Sequence, residues 1–275
     1  METALTAELS RFQGAVADAM RHACIGGKRL RGFLALEVGT LFDVPRAQAL
    51  RAACAIEAMH AYSLVHDDLP CMDDDDLRRG QPTVHRKWDE ATAVLAGDAL
   101  QSLAFEIVVD PRTHPEAEAR VALALSLAQA AGASGMVLGQ ALDIAAETGP
   151  PLALDDIAQL QRLKTGRLLE WPCRAGALLG GADPSAVLDY AAAIGLAFQI
   201  ADDLLDHTGD PDMAGKALRK DAAAGKATFV SLLGADGART RADKLVEQAE
   251  MSLLPYGAKA ANLKAVARYV VTRDR

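Results

Sequence analysis

Apolar residues recur at steps of three and four along almost the whole chain, the spacing that gathers them on one side of an α-helix. Two-residue alternation is nowhere convincing, so strands are not expected. The pattern breaks at Gly26-Gly27, Pro45, Gly80, Pro111 with Pro115, Gly149-Pro150-Pro151, Gly180-Gly181, Gly209-Asp210-Pro211, Gly234 to Gly237, and Pro255. Glycine and proline of this kind end helices, and the intervals hold about ten of them. With no repeat, low-complexity tract or linker in sight, residues 1–275 are expected to form one all-α domain.

Two of these helices end in acids. One runs from Leu50 to His66 and delivers Asp67 and Asp68 at its C-terminal end, after which Pro70 discourages Leu69 from staying helical. The other runs from about Pro184 to Leu205 and ends in DDLLD, Asp202 to Asp206. A third stretch, Val121 to Leu142, carries no charge. It holds Ser126, Gln129, Ser134, Gln140 and three glycines, a poor composition for entering lipid. A buried core helix broken near Gly132 or Gly135 is expected there, not a membrane span.

Composition sharpens this picture. Aromatic residues make up 4% of the 275 residues and the formal net charge is −8. Few aromatics with much alanine and leucine favour packed helices, and an acidic balance argues against nucleic acid as a partner. The cysteines (Cys24, Cys54, Cys71, Cys173) form no CxxC pair and no signal peptide is evident. They are expected to be reduced thiols of a cytoplasmic protein.

The chemistry concentrates in HDDLPCMDDDDLRRG, His66 to Gly80, where six aspartates fall within ten residues. Unscreened, they would repel one another and raise one another's pKa values, so a cation is implied. In the second motif Asp202 and Asp206 are four apart and share a helix face, with Asp203 around the side. Either motif alone could be a solvated turn or a helix end. Together they are different: both lie inside apolar flanks, AYSLVHDD and AFQIADDLLD, a costly place for charge without a purpose. Oxygen-only ligands indicate a hard cation, Mg²⁺ in preference to Zn²⁺.

Basic residues follow a matching pattern. GGKRLR sets Lys28, Arg29 and Arg31 at a helix start, where backbone N–H groups also favour anions. Arg78 and Arg79 offer bidentate forks for phosphate oxygens. Lys164-Thr165-Gly166, Lys216 and Lys226 add further positive points. Acids and bases together suggest two diphosphates, one bridged by magnesium and one held by basic side chains directly.

GGKRLR, HAYSLVHDDLPCMDDDDLRRGQPTVH, LAGDAL, GQALDI, KTG and GLAFQIADDLLD, in that order, resemble the trans-prenyl diphosphate synthases from Gly26 to the C-terminal YVVTRDR. The resemblance is closest to the bacterial farnesyl diphosphate synthases, with geranylgeranyl diphosphate synthases a near neighbour. It implies a helical bundle around a central cavity, a homodimer, and condensation of isopentenyl diphosphate with an allylic diphosphate. It further implies about three Mg²⁺ ions per site held by Asp67, Asp73 and Asp202, with Asp68, Asp203 and Asp206 assisting. Arg78, Lys164, Lys216 and Lys226 would then contact the allylic diphosphate, and Lys28, Arg31, His60 and Arg79 the isopentenyl diphosphate. Oxygens of Lys164, Thr165 and Gln199 would stabilise the carbocation. Tyr62, with Ser63 beside it, would floor the cavity about 7.5 Å down the helix from Asp67 and stop growth at C15, with C20 the alternative. His66 and His85 receive no assignment.

The chain departs from the family pattern in places. Only about 25 residues precede GGKRLR, so a first helix is expected to be reduced or missing. Gly32 stands where the family usually has proline. Pro172 should kink its helix, and Trp171 should add bulk near the cavity wall. Altered residues around Lys216 weaken its assignment. A terpene cyclase would mix Asn, Ser or Thr and Glu into its second metal motif, where this chain has DDLLD. A non-catalytic prenyltransferase subunit would typically lack an acidic motif, and a calcium module would not need KTG or paired arginines.

Overall fold

The computed structural model describes residues 1–208 and 227–273. Helices α1 (Glu2–Leu9), α2 (Ala15–Ala23), α3 (Leu30–Leu41) and α4 (Arg46–Asp67) lead to a short hairpin, β1 (Leu77–Arg78) and β2 (Gln81–Pro82). Then come α5 (Val84–Lys87), α6 (Glu90–Val109), α7 (Ala117–Ala131), α8 (Met136–Thr148) and α9 (Leu154–Gln161). A π-turn at Arg162–Gly166 leads into α10 (Arg167–Leu179) and α11 (Ser185–Thr208). The described chain closes with α12 (Phe229–Ser252), a 3₁₀ segment (Leu254–Ala260) and α13 (Ala261–Thr272). The all-α reading holds, with one local correction. The antiparallel hairpin pairs Leu77 with Pro82 and Arg78 with Gln81, and Arg79 and Gly80 turn it with positive φ. Two residues per strand are too few to show a period.

Helix α4 organises the bundle. Ala52, Ala53, Ala55 and Ala58 are fully buried on it, so α3, α6 and α10 approach closely. Ile56 and Met59 fill the centre with Leu100 and Ile107 of α6, Leu123 and Leu127 of α7, and Leu168 of α10. A second cluster joins Leu34 and Val38 of α3 to Tyr190 and Ile194 of α11 and Leu263 of α13. Helix starts follow local chemistry. The Asp89 side chain accepts from Thr92 N–H at 2.7 Å to cap α6, and Thr228 and Ser231 form a capping box at α12.

The residues before GGKRLR fold as α1 and α2. Arg51 of α4 secures them, pairing with Glu8 at 2.8 Å and Asp110 at 3.1 Å and donating to Thr113 Oγ1 at 2.8 Å.

The uncharged stretch breaks between α7 and α8, at Gly132 to Gly135, as expected. A Cβ on Gly135 would sit 2.1 Å from the Ala130 carbonyl oxygen. It is not buried all round, however. Val121 (65% exposed), Leu125, Leu138 and Leu142 leave apolar surface open, and α6 adds Leu95 and Val109. By length and composition Glu90–Val109 and Ala117–Thr148 could each cross a membrane, but Leu100, Leu103, Ile107, Leu123 and Leu127 are buried in the bundle core.

Trp171 also lies elsewhere than expected. It is 1% exposed, its indole Nε1–H donates to Ser126 Oγ at 3.1 Å, and it packs between α10 and α7 instead of on the cavity wall. Pro172 has no N–H to give the Leu168 carbonyl, yet α10 runs on to Leu179. Replacing Trp171 with phenylalanine removes the indole donor and some volume. A loss of about 1–3 kcal/mol in urea unfolding is expected, with the products of catalysis unchanged. A changed product length would return Trp171 to the wall.

Candidate active site

A cavity of about 850 Å³ opens between α4, α8, the π-turn and α11. Its acidic rim carries Asp67 and Asp73 from the first motif and Asp202 from the second. Beside them lie Arg78, Lys164, Thr165, Gln199, Arg31 and His60. Tyr62 and Ser63 line it further along α4, and Val94, Met136, Val137 and Ile144 supply apolar wall. Other candidates face elsewhere. Arg79 and Asp68 line a smaller neighbouring cavity that also includes Arg78, and Asp203 lines another beside Asp143. Lys28 is exposed. Asp206 is partly buried on α11 and does not line the large cavity. Lys216 and Lys226 lie outside the described residues.

The acids feel their surroundings. Burial pushes the Asp67 carboxyl up to about 6, Asp73 and Asp68 adding repulsion and Lys164 and Arg78 opposing it. Burial likewise raises Asp68, which is 4% exposed. Arg78 answers that charge: its Nε donates to Asp68 Oδ1 at 2.9 Å and its Nη2 to Asp75 Oδ2 at 3.0 Å. Lys164 donates to Asp143 at 2.6 Å. Asp202 accepts from Arg273 at 2.6 Å, whose guanidinium stacks 3.6 Å over the Phe198 ring. Asp203 accepts the backbone N–H of Phe229 at 2.8 Å and so caps the start of α12.

Asp143, Glu57 and Arg273 escaped the sequence reading. Asp143 is the acid that ends the uncharged stretch Val121 to Leu142, a signal that was available. Glu57 is a lone acid among the alanines of α4. Arg273 offered no spacing signal, because α13 brings it to Asp202 from 71 residues away.

The oxygen donors fit a hard cation. Asp67, Asp73 and Asp202 all line one cavity, and Mg²⁺ takes one or two carboxylates and completes its shell with water and phosphate. In the same cavity Arg31 Nη1 donates to His60 Nε2 at 3.2 Å. Burial, then the nearby arginines, hold His60 well below 6.5, so it is neutral, and burial pulls Arg31 down to about 10, still a cation. Arg31 Nε and His60 Nδ1 are buried without a hydrogen-bond partner, which suits them to an anion's oxygens.

Arg79 lies over the glycine pair. Its Nη1 donates to the Ile25 and Gly26 carbonyls at 3.1 and 3.3 Å. A Cβ on Gly27, where φ is +81°, would sit 2.6 Å from the guanidinium carbon, so only glycine fits there. His66 gains a place too. It packs edge-on to Tyr62 at 5.0 Å and donates from Nε2 to the Val94 carbonyl at 3.1 Å. A Cβ on Gly97 would sit 2.1 Å from that nitrogen.

Comparison with known proteins decides the family. The polyprenyl synthetase family profile matches residues 13–255. The chain belongs to the polyprenyl synthetases. It is 46% identical to the farnesyl diphosphate synthase of Escherichia coli strain K12, over 94% of this chain and 90% of that protein. Among solved structures, an FPP/GFPP synthase from Zymomonas mobilis superposes with a TM-score of 0.87 at 50% identity, covering 94% of this chain and 89% of the other. A geranyltransferase from Helicobacter pylori, complexed with magnesium and isoprenyl diphosphate, does so with a TM-score of 0.81 at 33% identity, covering 94% and 88%.

A burial-raised carboxylate weakens the metal-free fold at neutral pH. Asp67→Asn should therefore stabilise the metal-free protein at pH 7 by about 1–3 kcal/mol while abolishing turnover. Thermal unfolding with chelator, beside an activity assay, checks both halves.

Proposed function

We propose that the protein condenses isopentenyl diphosphate head-to-tail with dimethylallyl or geranyl diphosphate, with farnesyl diphosphate, C15, as the product. The observation that carries this reading is one cavity with carboxylates from two distant motifs at its mouth and apolar walls beyond. Asp67, Asp73 and Asp202 would hold Mg²⁺, about three ions per site, with Asp68, Asp203 and Asp206 supporting them. When bound, magnesium neutralises the leaving diphosphate. Arg78 and Lys164, with Lys216 and Lys226, orient that diphosphate. Lys28, Arg31, His60 and Arg79 hold the diphosphate of isopentenyl diphosphate.

The allylic C–O bond breaks with both electrons leaving on the diphosphate. Oxygens of Lys164, Thr165 and Gln199 face the allylic cation, and the apolar wall keeps water from quenching it. The isopentenyl double bond supplies the electron pair of the new C–C bond, and a proton then passes to the departed diphosphate. Incubating the protein with isopentenyl and geranyl diphosphates and Mg²⁺ should release farnesyl diphosphate. No condensation with either allylic substrate overturns the reading.

Tyr62, 9% exposed and braced by His66, supports the C15 limit. Tyr62→Ala should shift chromatographed products to C20 or longer, and an unchanged C15 product would remove the ring from that role.

Residues 1–275 act in this reading as one cytoplasmic domain that pairs with a second copy. Exposed apolar residues on α6, α7 and α8, such as Leu95, Val121 and Leu125, support the pairing. Sedimentation should give twice the 29.0 kDa chain mass, and Leu125→Arg should return a monomer.

A further inference from the structure

Glu57 is 2% exposed in the middle of α4, and the chemistry above does not use it. Its two carboxylate oxygens go to two places in one loop. Oε1 accepts the Gly32 backbone N–H at 2.8 Å, and Oε2 accepts from Arg29 Nη1 at 3.2 Å. Arg29 also donates to the Cys24 carbonyl, at the end of α2.

These contacts supply what α3 lacks. Its N-cap residue is Arg29, held at φ +54°, and no side chain of its own caps it. The Gly32 N–H belongs to the first turn, where backbone donors have no helical partner and a carboxylate is favoured. Glu57 provides that carboxylate from another helix. Gly32 has an N–H to donate, and the Met1 side chain occupies the space beside it. A Cβ on Gly32 would sit 2.1 Å from the Met1 sulfur.

The geometry also sorts the cations of GGKRLR. Arg29 turns inward to Glu57, while Arg31 turns to His60, one helical turn beyond Glu57 on the same face of α4. Gly27 lies under Arg79. We infer that Glu57 is a positioning residue: by capping α3 and neutralising Arg29 it fixes Lys28, Arg31 and the Gly26-Gly27 platform for isopentenyl diphosphate, without touching the substrate. This inference rests on the function proposed above.

The two substrates separate the possibilities. Glu57→Gln keeps an acceptor for Gly32 but loses the charge opposite Arg29. It should raise the KM for isopentenyl diphosphate about three- to tenfold, and Glu57→Ala about tenfold or more. The KM for geranyl diphosphate should move less than about twofold in both. Should Glu57→Ala fail to fold, by circular dichroism, Glu57→Gln and Arg29→Lys give the same split. Arg29→Lys keeps the charge but not the fork that spans Cys24 and Glu57. Folded variants with both KM values near wild type, or raised equally, overturn the assignment. A wild type that condenses nothing overturns the proposed function instead.

Discussion

Carboxylates held out of water at the mouth of an apolar bundle are the constraint to which much else in the molecule answers. Asp67 and Asp68 are both raised by desolvation, and neither could be kept there without opposite charge nearby. Arg78 answers Asp68, Arg273 answers Asp202, and Lys164 stands near Asp67 while pairing with Asp143. Each pairing commits an element: the hairpin after α4, the C-cap of α13, and the π-turn before α10. The electrostatics of the mouth thus help to place elements far apart in the chain.

Much of this was legible in the sequence, for definable reasons. Helical spacing is a strong signal when it persists over twenty residues, so α4 and α11 were predicted close to their observed limits, and so was the break between α7 and α8. Local chemistry was legible as well: two acidic motifs inside apolar flanks pointed to one opening. Direction was harder to read. Arg29 and Arg31 are two residues apart in one basic run, and only the packing of α3 on α4 shows that the first faces Glu57 and the second His60. Trp171 lies next to a site motif in sequence, yet its helix turns it away from the cavity and toward Ser126. The hairpin was too short to show a period, and the open face of α7 looks the same in sequence as a buried one.

The polar groups around the cavity divide by what they can give. Neutral His60 with its spare Nδ1, and Arg31 with its spare Nε, can gain partners without losing any. Arg78 is shared between Asp68 and Asp75, so the acids around it outnumber it. Arg31 and His60 can therefore meet an anion's oxygens directly.

The π-turn at Arg162–Gly166 has a consequence for inheritance. Its wider coil is equivalent to one residue inserted into an α-helix. Deleting a residue there would close the turn to regular α-helical winding and remove one position from the stretch that faces the cavity. Lys164 and Thr165 both reach the cavity from this turn, and the tighter coil would not present the two side by side there. The Gly139 backbone lies so close that a Cβ would come within 2.1 Å of Lys164 N, leaving the coil little room to shift. The number of residues in this short segment, and not only their identity, therefore decides what reaches the cavity.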